Sequence, residues 1–196
     1  MLKKHLLLVL FLFTVFAVSA QVQAHQTFSS IDVHFSELNK KGMLVLGSWG
    51  AANLLAGTVL SLNMQGKSKY FWQMTAAWNT INLGIAAAGY FGGSDAANAG
   101  ELLSTLHGYQ KAYLFNAGLD AAYIMTGFLL REIARNKALH ADRLTGYGNA
   151  IILQGAFLMA FDWVMYAIHH QQYQLIVSPW IDSFTSSAGL SFSMQF

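Results

Sequence analysis

The chain has 196 residues, of which 55% are hydrophobic and only 10% charged, with 17 Gly and a single Pro. That composition excludes an ordinary soluble domain, in which about a quarter of residues are charged. A net charge of only +2, with the Lys and Arg spread among loops, excludes the basic face that nucleic-acid binding needs, and the absence of Cys removes disulfides, thiolate metal sites and thiol nucleophiles together.

Residues 1–20 read as a secretory signal peptide. Lys3 and Lys4 supply the charge, residues 6–18 the apolar core and Ser19-Ala20 a small-residue cleavage site before Gln21. The next segment, residues 21–42, is a periplasmic lead-in. There Ile31, Phe35 and Leu38 fall on one helical face with Ser30, Asp32, Glu37 and Asn39 elsewhere, which predicts a short amphipathic helix lying on the membrane surface.

Residues 43–168 form the body, with spans predicted at 43–62, 70–90, 110–130 and 145–168, each near the roughly 20 apolar residues that a bilayer-crossing helix needs. The predicted fold is an all-α membrane protein, a four-transmembrane-helix bundle. A barrel would require short alternating segments, and Ile85-Ala86-Ala87-Ala88 or Ala156-Phe157-Leu158-Met159 do not alternate. Small residues at four-residue spacing, Ser48-Ala52-Ala56 and Gly84-Ala88, are expected to let backbones approach. The segment from Gly50 to Gly57 aligns with that from Asp120 to Gly127, and the second and fourth spans at nearly the same offset set Asn82 against Gln154. A tandem two-helix repeat is one reading; chance similarity of short apolar stretches is the other.

The loops carry a charge asymmetry. Lys67 and Lys69, then Arg131, Arg135, Lys137 and Arg143, fall in the two loops that face inward if the mature amino terminus lies outside. This predicts an inner-membrane protein with both termini periplasmic. Residues 169–196 form a periplasmic tail in which Leu190, Phe192 and Met194 alternate with Ser191, Ser193 and Gln195, a strand-like pattern, with a disordered end as the alternative.

Each predicted span carries an amide or carboxylate near mid-depth: Asn53 in the first, Asn79 and Asn82 in the second, Asn116 and Asp120 in the third, Gln154 in the fourth. By helical spacing Trp49, Asn53 and Gly57 share one stripe of the first span, Thr75, Asn79, Asn82 and Ala86 one of the second, Tyr109, Tyr113, Asn116, Asp120, Tyr123 and Gly127 one of the third, and Tyr147, Gln154 and Asp162 one of the fourth. A polar group in hydrocarbon costs several kcal/mol unless it finds a partner, so these groups are expected to meet inside the bundle as a polar axis. For the amides the ordinary alternative is interhelical glue without transport or chemistry. Asp120 says more. A carboxyl at that depth must be protonated or paired with a cation, and no Lys or Arg sits at matching depth. Asp162 joins the axis nearer the outer surface, where it could simply reach water. Trp49, Trp72, Trp78 and Trp163 are read mostly as belt or packing residues.

His107, His169 and His170 fall at the outer face with His34 nearby, enough imidazole for a zinc or copper site. Against this, interfacial His is at home between water and lipid, and His169 and His170 point different ways on a helix. No cofactor is expected. Phosphate-cradling glycine loops, a nucleophile elbow and paired His at helical ligand spacing are all missing, so catalysis is not expected.

The blocks Gly42-Met43-Leu44-Val45-Leu46-Gly47-Ser48-Trp49-Gly50-Ala51-Ala52-Asn53, Ala77-Trp78-Asn79-Thr80-Ile81-Asn82-Leu83, Asn116-Ala117-Gly118-Leu119-Asp120 and Leu153-Gln154-Gly155-Ala156-Phe157-Leu158-Met159-Ala160-Phe161-Asp162 together resemble an uncharacterised family of bacterial four-span membrane proteins, domain of unknown function 6992. The resemblance covers residues 36–168. It implies a helical membrane fold and supplies no activity, substrate or site.

Two functions are therefore expected to compete. One is a protein that binds or passes a small solute, proton or cation along the polar axis, with Asp120 as the switchable charge. The other is a structural or accessory protein whose periplasmic tail meets a protein partner. The lipid bilayer is the expected surrounding in both, a homodimer one expected assembly, and nucleic acid no partner.

Overall fold

The computed structural model describes residues 2–92, 96 and 98–187, with side chains from residue 29 onward except at 99, 184, 186 and 187. Among these residues the chain is all-helical: α1 (Leu2–Asn63), α2 (Gly66–Phe91), α3 (Ala99–Arg135), α4 (Ala141–Gln172) and, after a wide turn at Tyr173–Val177, α5 (Ser178–Ser187). Two stretches, 29–63 and 138–183, are long and apolar enough to cross a membrane. They contain the first and fourth expected spans. At 26 and 37 residues α2 and α3 also have the length, but Gln73, Asn79 and Asn82 dilute one and Lys111, Asn116 and Asp120 the other.

Helix α1 lies along α2, α2 along α4 and α4 along α3, while α1 meets α3 and α4 only locally. Glycines set the tightest approaches. A Cβ at Gly57 of α1 would stand 2.8 Å from the Trp72 carbonyl oxygen and the Ala76 nitrogen of α2. Between α3 and α4 the relation is reciprocal: the carbonyl oxygens of Gly127 and Gly148 each lie 2.6 Å from where the other's Cβ would be. Gly57 and Gly127 hold equivalent places in the two aligned segments, and each lets its helix touch the next. The expected small-residue stripes do not do this work. Ser48 and Ala52 are exposed, and a Cβ at Gly84 would meet nothing within 4 Å. Small size permits close approach on any face, and the polar stripe decides which face turns inward.

The turn after α1 and the turn before α4 lie side by side, with Gly66 and Lys69 facing Asp142 and Arg143 across a shallow opening. Gly66 has φ +57, a left-handed conformation that favours glycine, and starts α2 there. The loop basic residues thus gather at one end of the bundle. α3 begins at the other end, where Asn98 caps it by accepting from the Glu101 N–H at 3.0 Å.

At that far end the lead-in differs from its expected form. It is continuous with the first span in α1, and its apolar face is buried in protein: Ile31 and Phe35 pack with Leu102, Leu106 and Val177. Asp32 and Asn39, expected on the polar face, are buried too. Asp32 Oδ2 accepts from the Ala96 N–H at 3.3 Å. Asn39 joins three helices, donating to the Gly89 carbonyl at 3.1 Å and accepting from the Tyr113 hydroxyl at 2.6 Å. Asn39→Ala leaves the buried hydroxyl without its acceptor and is expected to cost about 1–3 kcal/mol, read as a lowered thermal unfolding temperature. A variant melting with the wild type would show that this junction contributes nothing.

The tail begins later than the sequence suggests. α4 runs on past residue 168 to Gln172 and through the wide turn into α5. Pro179 explains the turn: it has no N–H to give the Leu175 carbonyl, and just before it the ladder widens, the Ser178 N–H reaching the Tyr173 carbonyl five residues back. The alternating segment at 190–195 lies outside the described residues.

Candidate functional site

Polar residues share the interior of the bundle while long apolar side chains cover much of its outside. Thr75, Asn79, Asn82, Asp120, Gln154, Asp162 and His169 are buried, whereas Leu55, Val59, Ile81, Phe115, Met125, Leu129 and Val164 face outward. All of these but His169 lie on the stripes read from helical spacing, and they turn polar faces of three helices, α2, α3 and α4, toward one axis, with Asn53 of α1 half-buried beside them.

The amides mostly bond locally. Asn53 is half-buried and donates to the Trp49 carbonyl at 2.9 Å, one turn back on its own helix. Asn79 does the same to the Thr75 carbonyl at 2.8 Å, and its Oδ1 accepts from Asn82 Nδ2 at 3.2 Å. Gln154 Oε1 accepts from Trp49 Nε1 at 3.0 Å, tying α4 to α1, while Gln154 Nε2 finds no partner among the described residues. The Trp49 ring also stacks on Phe157 with centroids 3.8 Å apart. Trp49 is thus an interior residue rather than a belt residue, and Trp78 likewise lines the interior; Trp163 faces outward as expected.

The carboxylates form a pairing that the sequence did not expose. Asp120 on α3 and Asp162 on α4 are 3% and 5% exposed, and their carboxyls lie within hydrogen-bonding reach of each other. Side chains on a helix lean toward its N-terminus. On the antiparallel α3 and α4 the two aspartates therefore lean toward one another, which closes the axial gap that residue counting leaves between them. Asp162 does not simply reach water. No donor from a described residue reaches Asp120 Oδ2, and the ion pairs seen among the described residues, Lys40 with Glu37 and Arg135 with Glu132, involve neither aspartate. Two carboxyls in contact complete a hydrogen bond only by sharing a proton, and if both are ionised they need a cation between them.

The pair borders a cavity of about 210 Å³ between α2, α3 and α4, whose wall includes Trp78, Asn82, Asn116, Tyr123 and Phe161. Of the residues expected on the axis, Asn82, Asn116, Asp120 and Asp162 meet here. Asn53, Asn79 and Gln154 lie off the cavity wall.

The imidazoles do not converge. His169 is fully buried among the rings of Phe35, Tyr109 and Tyr113, with neither ring nitrogen bonded to a described residue. His170 is exposed, stacked on Tyr166 and 3.4 Å from Gln110 Oε1, and His107 sits against Tyr173. His34 approaches Gln172 Oε1 at 3.3 Å. Among the described residues no three His, Asp or Glu side chains are grouped to hold a metal ion. The two neighbours on α4 point apart because adjacent helical residues differ by about 100°.

Residues 45–163 match a family of unknown function, DUF6992, a span that runs from α1 into α4 and contains the whole cavity wall. Neither a curated protein nor a solved structure matches the chain.

Proposed function

Given that the chain belongs to DUF6992, whose function is unknown, we propose on its own geometry that it is a four-span inner-membrane protein that binds or passes a small solute, proton or cation at the Asp120–Asp162 pair. The observation that carries this reading is a buried pair of touching carboxyls with no basic partner among the described residues, set on a cavity wall. Structural glue has no need of two like-charged groups, and intramembrane carboxyls commonly mark ion or substrate paths.

Membrane placement is supported by the two long apolar stretches and by burial, polar stripes facing inward on α2, α3 and α4 while long apolar side chains face outward. Gathering of the loop basic residues at one end favours that end as cytoplasmic, with the mature termini periplasmic after removal of residues 1–20. We assign no chemistry on substrate to the site. The second reading is an accessory protein that meets a periplasmic partner through its tail. It is favoured by Asn53 and Asn79, whose side chains bond their own helices and by themselves need no ligand.

Asp120→Asn separates the two. The amide keeps the shape and can donate to Asp162, so the fold should persist. In proteoliposomes loaded with a pH-reporting dye, the wild type is expected to show proton or cation-linked movement and the variant to lose at least nine-tenths of it at an unchanged unfolding temperature. Equal signals from both, or none from the wild type, would transfer the assignment to the accessory reading.

A further inference from the structure

The cavity is larger than a proton or a bare metal ion needs, and among the described residues no three His, Cys, Asp or Glu side chains are grouped to hold a metal. Its wall brings two carboxyls and two amides against a mostly hydrocarbon surface. Among its polar atoms is Asp120 Oδ2, which is buried and without a donor among the described residues. The same wall carries aromatic rings, with Trp78 and Tyr123 meeting edge to face at 4.8 Å between centroids. Ile81 and Ile85 belong both to the cavity wall and to the outer apolar surface, being 62% and 51% exposed, so the cavity borders the hydrocarbon side of the bundle.

We infer that this cavity is a binding site for a small lipophilic amine, its ammonium held between Asp120 and Asp162 and its hydrocarbon part on Trp78, Tyr123 and Phe161. The assignment rests on the proposed solute-binding function and names the ligand class. A primary ammonium has three N–H donors and no acceptor, which suits two carboxyls and an amide oxygen, and aromatic faces attract a cation within about 6 Å. One positive charge also removes the like-charge conflict of the pair. An anion would double that conflict, and a neutral alcohol would leave it as it is.

The test uses the full chain purified in mild detergent and titrated calorimetrically with 2-phenylethylamine, with 2-phenylethanol as the uncharged counterpart. The amine is expected to bind saturably at one per chain, and the alcohol at least tenfold more weakly. Asp120→Asn and Asp162→Asn should each weaken the amine at least tenfold. Ile85→Trp, at an exposed position that leaves both carboxyls in place, should also weaken it by crowding the cavity, and it decides the matter if an aspartate variant fails to fold. Equal binding of the alcohol, or amine binding indifferent to Ile85→Trp, overturns the assignment. If the amine does not bind while the Asp120-dependent dye signal persists, this inference falls and the proposed function stands. If both signals are missing, both fall.

Discussion

Gly148→Leu is expected to destabilise the protein by about 3 kcal/mol, the upper part of the usual range for overpacking, and to separate α3 from α4. A Cβ at position 148 already falls 2.6 Å from the Gly127 carbonyl oxygen and 2.9 Å from Arg131 Cγ. The first of these neighbours is backbone, which can yield only by moving the helix. Gly148→Ala should show a smaller loss in the same direction. Gly118→Ala is the control: nothing lies within 4 Å of its Cβ position, so the gain in helix propensity, about 0.5–1 kcal/mol, should be recovered in full. Thermal unfolding in mild detergent reads all three. If the leucine variant melts with the wild type, the α3–α4 contact is not as described, and the aspartate pair that depends on it loses its basis.

The second large effect concerns the pair itself. Asp120→Asn and Asp162→Asn should each reduce proton or cation movement about as far as the double variant does, because a proton or cation held between two groups is lost when either goes. Independent sites would instead multiply their losses. Stability should change little in either single variant, since an amide can donate to the remaining carboxyl at the same place. A double variant markedly worse than both singles in the liposome assay would show two separate sites and end the paired reading.

Much of the bundle was legible in the residues. Helical spacing placed Thr75, Asn79, Asn82 and Ala86 on one face of α2, and all four are buried together. The same spacing marked the stripe of Tyr113, Asp120 and Gly127 on α3, and these too turn inward. Periodicity works here because it depends only on the 3.6-residue turn of one helix. The lead-in failed for a different reason. Ile31 and Phe35 do share an apolar face, but a pattern does not say what covers it, and the cover comes from Leu102, Leu106 and Val177, far along the chain. For Trp49 the pattern leaves belt and packing open, since an indole suits a membrane interface and an interior equally well, and Gln154 at 3.0 Å decides for packing.

What the sequence determined by itself was the helical class, the polar stripes of α2, α3 and α4, the basic end of the bundle and the candidacy of Asp120, all consequences of composition and local spacing. Only the tertiary structure decided that Asp162 belongs with Asp120, that Asn39 joins α1, α2 and α3, and that the histidines stay apart. Each of these is a relation between helices. Which residues meet depends on the level at which two helices cross, marked by the close contacts of Gly57, Gly127 and Gly148, and on the direction in which their side chains lean, which the antiparallel course of the helices sets.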